Sequence, residues 1–113
     1  DDQLGSPTWT WDIAEAIRVL IHSNLSGIYN FTNEGVASWY DLASEVVMVA
    51  RQLGYQVKTG YVRPIPACDY KTIATRPSYS VLSKRKIRPL LDYQLPHWRE
   101  SLREMLTQLR KIK

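Results

Sequence analysis

The stretch SWYDLASEVVMVARQLG, residues 38–54, decides the fold of this chain. It predicts an α-helix because Ser38 and Asp41 stand three residues apart, as in a capping box, and Gly54 provides a stop signal. Its apolar side chains recur at helical spacing. They are Trp39, Leu42, Val46, Val49 and Leu53. One face of this helix is therefore expected to lie in a hydrophobic core.

A further helix is predicted on each side of this stretch. Upstream, Thr10 is placed to cap a helix that runs to about Ser23. Downstream, Pro96 suits the first turn of a last helix. The apolar positions are Ile13, Ala16, Ile17, Leu20 and Ile21 in the first helix, and Trp98, Leu102, Met105, Leu106 and Leu109 in the last.

The segments between the helices predict two short strands and a long loop. Residues 28–32 are β-branched and aromatic, and residues 57–62 alternate weakly. Pro64, Pro66 and Pro77 then punctuate an irregular stretch. The fold class is α/β, with about three helices, two or more short strands and a long Pro-containing loop in one domain, residues 1–113. So few elements barely close a core without help from more chain.

Composition narrows the class of the protein and the cellular compartment in which we expect it. The chain has 113 residues, 44% of them apolar, and lacks the run of about 20 apolar residues that a membrane span needs. Cys68 is the only cysteine, so no intramolecular disulfide forms, as suits a reducing compartment. We expect a cytoplasmic protein. The chain starts at Asp1 without methionine, and we expect an excised piece of a longer protein.

The net charge of +4 comes partly from two basic runs, residues 84–88 and 110–113. Such runs attract nucleic acid, anionic lipid or a phosphorylated ligand, but most often they are solvated surface. We expect solvated surface here, and neither a nucleic-acid nor a membrane partner, because no aromatic residues are interleaved with these short runs.

The common catalytic motifs are missing from the sequence. It contains no P-loop, no Gly-x-Gly-x-x-Gly turn and no Tyr-x-x-x-Lys pair. His22 and His97 have no cysteine or acidic neighbours at metal-ligand spacing. We therefore predict no catalytic residue, cofactor site or metal site within this chain.

A binding signature remains at TRPSYS, residues 75–80. A guanidinium at Arg76 is able to grip a diphosphate bidentately, and Tyr79 to cover a ring. The competing interpretation is a proline-stiffened turn whose arginine pairs with a carboxylate. Composition alone leaves both open.

Five motifs in order carry a resemblance to a known family. They are DQLGSPT (residues 2–8), GIYNFTNEG (27–35, without Phe31), SWYDLA (38–43), RPSYSVL (76–82) and LPHWRESL (95–102). Together they resemble dTDP-4-dehydrorhamnose reductase, an extended short-chain dehydrogenase, over nearly the whole chain. The resemblance assigns this chain to the C-terminal substrate-binding part of such an enzyme.

The resemblance implies a parent protein with an N-terminal Rossmann domain, which binds NADP(H) or NAD(H) and holds the catalytic Thr, Tyr and Lys. That parent reduces dTDP-4-dehydro-L-rhamnose to dTDP-L-rhamnose for polysaccharide biosynthesis. Its implied partners are the dTDP-sugar, the Rossmann domain and a second copy in a homodimer. This chain alone is expected to be inactive.

The resemblance also implies contacts with substrate. Arg76 is the expected phosphate contact, with Tyr79 and Ser80 beside it. Gln3, Thr8 and Asn33 are further substrate-binding candidates, and Glu34 is a weaker one. From their apolar stripes, Trp39 and Trp98 are expected to anchor helices in the core.

Two other functions stay open for the parent. One is a non-catalytic regulatory subunit similar to that of methionine adenosyltransferase, since a fold can persist without its reaction. The other is a different sugar-nucleotide epimerase or dehydratase of the same superfamily.

Overall fold

Three α-helices and a two-stranded antiparallel sheet make up the fold. A computed structural model describes residues 1–112. In chain order the elements are β1 (Leu4–Gly5), α1 (Thr10–Ile21), β2 (Ala37–Ser38), α2 (Trp39–Gln52) and α3 (Trp98–Ile112). Two 3₁₀ turns, Ala67–Asp69 and Arg88–Leu90, interrupt the long irregular stretch between α2 and α3. The three helices and the long loop are as predicted.

Helix α2 begins with the predicted capping box. The Ser38 hydroxyl accepts from the Asp41 amide at 3.0 Å, and the Asp41 carboxylate accepts from the Ser38 amide at 2.8 Å. The hydrogen bonds from the Ser38 backbone and hydroxyl lower the pKa of Asp41. Gly54, at φ +80°, follows the last turn, so both ends of the helix are set by local sequence.

The hydrophobic core lies between α2 and α3. Val49 and Ala50 of α2 are buried against Trp98, Leu102 and Leu106 of α3. Just beyond α2, the Tyr55 hydroxyl donates to the Leu106 carbonyl at 2.5 Å. The two helices thus form one packed pair, and β2 leads directly into it.

A buried polar cluster ties α1 to this pair. Asn33 is fully buried, and its side-chain amide donates to the Asp12 carboxylate at 2.7 Å and to the Ser101 hydroxyl at 3.2 Å. Its side-chain oxygen accepts from the Trp9 amide at 2.9 Å. Because Asp12 lies on α1 and Ser101 on α3, Asn33 joins the two helices through side-chain hydrogen bonds.

The basic run at residues 84–88 is only partly solvated. Lys84 is buried, and its ammonium donates to the Asn33 carbonyl and to the Glu34 carboxylate, both at 3.0 Å. Arg88 also pairs with Glu34, at 2.6 Å. Burial alone raises the pKa of Glu34, but the hydrogen bonds from Arg88 and Lys84 outweigh it and the pKa is lowered. The prediction of solvated surface is therefore wrong for Lys84.

The predicted strands at residues 28–32 and 57–62 do not form within the described part of the chain. β-Propensity reflects fit to a sheet surface, and neither segment has a neighbouring strand to pair with here. Ile28 is 83% exposed. The sheet forms instead where β1 and β2 meet, with Leu4 opposite Ser38 and Gly5 opposite Ala37.

Helix α1 also departs from prediction at its ends. Thr10 is the first helical residue rather than the cap, Trp9 takes the cap position without a side-chain hydrogen bond, and the helix ends at Ile21. Its outer face exposes Ile13, Ile17 and Ile21. None of the helices in residues 1–112 is long and apolar enough to cross a membrane.

Candidate functional site: the Arg76 cleft

Strand β1 brings the N-terminus beside the Arg-Pro segment. The Leu4 amide donates to the Ser78 carbonyl and the Ser80 amide to the Leu4 carbonyl, both at 2.8 Å, while the other edge of β1 pairs with β2. A Cβ on Gly5 would lie 3.0 Å from the Ser80 hydroxyl, so the glycine permits this close approach. Three segments distant in sequence therefore converge around β1.

Two adjoining pockets open beside this junction, with volumes of about 310 and 630 Å³. Gln3, Trp39 and Arg76 line both of them. We call the combined depression the Arg76 cleft. It lies between β1, the first turn of α2 and the long loop. The resemblance assigns substrate contacts to the segments that contain β1 and Arg76, but not to α2.

Arg76 presents an available guanidinium to the cleft. It is exposed, and among residues 1–112 its side chain makes no hydrogen bond or ion pair. Of the two interpretations of residues 75–80, a turn with an internally paired arginine is therefore not what the structure has. An unpaired guanidinium in a concave site is suited to bidentate binding of a phosphate or carboxylate.

The structure gathers three of the six predicted contacts into the cleft: Gln3, Arg76 and Ser80. Tyr79 lies elsewhere, because Leu4 pairs with it as in a strand and successive side chains of a strand point to opposite sides. Ser80 lines the smaller pocket, whereas Tyr79 lines neither.

Thr8 and Asn33 belong to the framework of the site. The Thr8 hydroxyl donates to the Ser6 carbonyl at 2.9 Å and accepts from the backbone amide of Asn33 at 3.2 Å. The Asn33 side chain is fully buried among protein groups. Both residues therefore hold the framework of the site, and their side chains are occupied by other protein groups.

Trp39 is the main residue of the cleft that the sequence interpretation missed. Trp98 is buried as predicted, but Trp39 is 62% exposed, so the core role predicted for it is wrong. It begins the apolar stripe of α2, whereas the fully buried part of α2 lies about three turns further along, at Val49 and Ala50. The stripe therefore starts in the cleft and ends in the core.

The larger pocket adds Arg63, Tyr40 and Tyr70 to the cleft. Arg63 precedes Pro64 just as Arg76 precedes Pro77, and both dipeptides lie in the same loop. The repeated Arg-Pro dipeptide is the sequence signal that could have identified Arg63 as a second residue of the cleft. A second guanidinium beside aromatic rings strengthens the case for an anionic ligand with a flat ring.

Acidic groups at the cleft do not form a metal site. Asp1 and Asp2 line the larger pocket, and the Asp2 carboxylate accepts from the Ala67 amide at 2.9 Å. Within the described residues no group of three or more His, Cys, Asp or Glu side chains is placed to hold a metal ion.

Known proteins share both the sequence and this architecture. A probable dTDP-4,6-dihydroxy-2-methyloxan-3-one 4-ketoreductase of Streptomyces antibioticus is 41% identical over 91% of this chain and 34% of its own length. The dTDP-4-dehydrorhamnose reductase of Escherichia coli (strain K12) is 32% identical over 96% of this chain and 38% of its own.

Among solved structures, the dTDP-4-dehydrorhamnose reductase of Bacillus anthracis in complex with NADP is similar, with a TM-score of 0.80 at 32% identity. The match covers 95% of this chain and 35% of that one. The chain thus spans about a third of the length of these relatives. Residues 1–111 match the RmlD substrate binding domain, and the chain belongs to that family.

Proposed function

We propose that this chain is the sugar-nucleotide-binding domain of a parent protein that reduces the 4-keto group of dTDP-4-dehydro-L-rhamnose, giving dTDP-L-rhamnose. The observation that carries the proposal is the unpaired Arg76 guanidinium in a cleft built by family motifs. The names of the relatives above, all reductases or ketoreductases, support this reaction over the regulatory and epimerase alternatives.

Three residues of the cleft are proposed substrate contacts. Arg76 donates a bidentate pair of hydrogen bonds to the diphosphate, which carries the negative charge of the substrate. Gln3 and Ser80 line the smaller pocket together with Arg76. The Gln3 amide can donate to a phosphate oxygen, whereas the Ser80 hydroxyl donates to the Leu4 carbonyl at 3.1 Å and offers its oxygen as an acceptor for a sugar hydroxyl. Arg63 is an additional counter-charge at the edge of the larger pocket.

The hydride donor is proposed to bind outside these residues. The helices here begin after Trp9, Ser38 and His97 rather than after a glycine-rich turn, and the first turn of α2 is already capped by Ser38. These residues do not fit a dinucleotide pyrophosphate. The proposed cofactor, NADP(H) or NAD(H), therefore belongs to the N-terminal Rossmann domain of the parent, together with the catalytic Thr, Tyr and Lys.

The outer face of α1 is the proposed contact with that domain. Ile13, Ile17 and Ile21 recur every four residues, so they lie on one side of the helix, and all three are exposed. An exposed isoleucine stripe typically marks a protein–protein or interdomain surface. A homodimer of the parent and a cytoplasmic setting in polysaccharide biosynthesis stay predictions.

Replacing the guanidinium tests the proposed site. We expect Arg76→Ala to weaken binding of dTDP-L-rhamnose to the parent by about 1.5–3 kcal/mol, roughly 10- to 150-fold, because a charged hydrogen-bond partner is lost. Isothermal titration calorimetry measures this. Arg85→Ala is the matched control, since Arg85 is exposed and lines neither pocket. Equal affinity of the Arg76 variant and the wild type would place the diphosphate elsewhere.

A further inference from the structure

Within residues 1–112 the exposed indole of Trp39 forms no aromatic pair, unlike those of Trp9, Trp11 and Trp98. Trp39 is the first residue of α2, and the capping box at Ser38 and Asp41 fixes its backbone. It is nevertheless 62% exposed, whereas Val49 on the same stripe is 1% exposed. Leaving so large an apolar side chain in water forfeits the burial free energy that tryptophan usually supplies.

The position of Trp39 relates the ring to the proposed phosphate site. Among residues 1–112, three residues line both pockets: Gln3, Trp39 and Arg76. A ligand that is held at Arg76 and extends into either pocket therefore enters a space that Trp39 borders. A nucleoside diphosphate has matching parts, namely a charged diphosphate and a flat base a few bonds away.

The two pockets differ in which part of a sugar nucleotide each one suits. The larger one, about 630 Å³, is lined by Tyr40 and Tyr70 besides Trp39, so three aromatic side chains border it. The smaller one, about 310 Å³, has no tyrosine in its lining, and Trp39 is its one aromatic residue among residues 1–112. Residues 3–7 and small side chains such as Ser80 form much of the rest. Several aromatic side chains favour a nucleobase, because bases stack on indole and phenol rings. The smaller pocket suits a hexose, because the Ser80 hydroxyl donates to the Leu4 carbonyl and leaves its oxygen to accept from a sugar hydroxyl.

We infer that Trp39 is the stacking platform for the nucleotide base, with the base in the larger pocket and the sugar in the smaller one. This assignment rests on the proposed sugar-nucleotide function and adds to it the orientation of the ligand. It gives Trp39 a binding role, and it explains why the apolar stripe of α2 extends into the solvent-facing cleft.

The test compares Trp39→Leu with Trp39→Phe in the full-length parent. Leucine keeps apolar bulk and removes the aromatic face, whereas phenylalanine keeps a face. Affinity for dTDP is measured by calorimetry, and inorganic pyrophosphate is measured as a competitor because it has phosphates but no base. Trp11→Leu is the control, since Trp11 is 58% exposed and lines neither pocket.

The stacking role predicts a base-dependent loss. Trp39→Leu should weaken dTDP about 5- to 150-fold, the equivalent of about 1–3 kcal/mol for a stacked base. Pyrophosphate should compete as well as in the wild type. Trp39→Phe should recover most of the affinity for dTDP, and Trp11→Leu should leave it unchanged.

Other outcomes overturn the inference, and they separate it from the proposed function. If the leucine variant binds dTDP within twofold of the wild type, or loses dTDP and pyrophosphate equally, Trp39 is not a base platform although the site stands. If the leucine and phenylalanine variants lose dTDP equally, stacking is excluded. A wild-type parent that does not bind dTDP would remove both the inference and the function.

Discussion

At the scale of single residues, Asn33 shows how a motif residue serves the site without touching ligand. Its amide reaches both Asp12 and Ser101, and the Ser101 hydroxyl also donates to Asp12 at 2.6 Å. A buried carboxylate without hydrogen bonds is costly, so losing one of these three side chains destabilises the contacts of the other two. The Asn33 backbone amide also donates to the Thr8 hydroxyl, and this hydrogen bond fixes the course of the segment between β1 and α1.

Removing the Asn33 amide is expected to destabilise the chain. Asn33→Ala leaves the Asp12 carboxylate with one donor fewer and opens a cavity at a fully buried position. We expect the free energy of unfolding to fall by about 2–4 kcal/mol. Urea denaturation followed by circular dichroism measures the change.

Asn30→Ala is the matched control, because Asn30 is exposed and its side chain makes no hydrogen bond within residues 1–112. We expect less than about 0.5 kcal/mol for that variant. Similar losses in the two variants would mean that the buried cluster contributes little.

Residues of the Arg76 segment differ in how far the local sequence predicts their roles. The residues around Arg76 left two interpretations open, an anion site and a turn with a paired arginine, and only the resemblance favoured the anion site. The separation of Ser80 from Tyr79 follows from strand alternation, and it required knowing that Leu4 pairs with this segment. That pairing spans more than 70 residues, and no local pattern predicts it.

At the scale of elements, α2 and the two strands show opposite degrees of predictability. The capping box and terminal glycine of α2 are local signals, so the helix was predicted within two residues of its end. A strand depends on a neighbour in space. Residues 28–32 have strand-like composition and no neighbour in the described part, whereas two-residue strands formed where β1 meets β2.

One tight junction between elements rests on Gly35. Its φ is +88°, and a Cβ there would lie 2.2 Å from the His97 ring nitrogen Nε2. The adjacent backbone is fixed, since the Glu34 amide donates to the Pro96 carbonyl and the Trp98 amide to the Glu34 carbonyl, both at 3.0 Å. This junction sets the segment that leads into β2 against the start of α3.

Gly35→Ala is therefore expected to lower the free energy of unfolding by about 2–4 kcal/mol, from left-handed backbone strain together with the clash against His97. A shift of the urea midpoint to lower concentration measures it. Gly60→Ala is the matched control, because nothing lies within 4 Å of a Cβ at that position. The explanation fails if the Gly60 variant is destabilised as much as the Gly35 variant.

At the scale of the whole molecule, the chain is more open than its length requires. The radius of gyration is 16.3 Å, whereas a compact domain of this length has about 13 Å. The buried core is concentrated between α2 and α3, while α1 keeps its isoleucine stripe in solvent. The chain also spans only about a third of its relatives. These three facts support an interface with the rest of the parent along α1.

This interface predicts that one substitution changes the stability of the parent protein more than that of the isolated chain. Ile21 is 71% exposed, so Ile21→Ser should change the stability of the isolated chain by less than about 0.5 kcal/mol. In the parent the same side chain would be buried, and the substitution should cost about 1.5 kcal/mol or more. Thermal unfolding of both proteins, with and without the substitution, gives the comparison.

The control for that comparison is Ile73→Ser, since Ile73 is fully exposed on the long loop and lies away from α1 in the sequence. It should be silent in both contexts. An interface on α1 makes the cost of Ile21→Ser appear only when the two parts are covalently joined. If the parent tolerates Ile21→Ser as well as Ile73→Ser, the apolar face of α1 does not contact the Rossmann domain, and the contact must lie along another exposed surface.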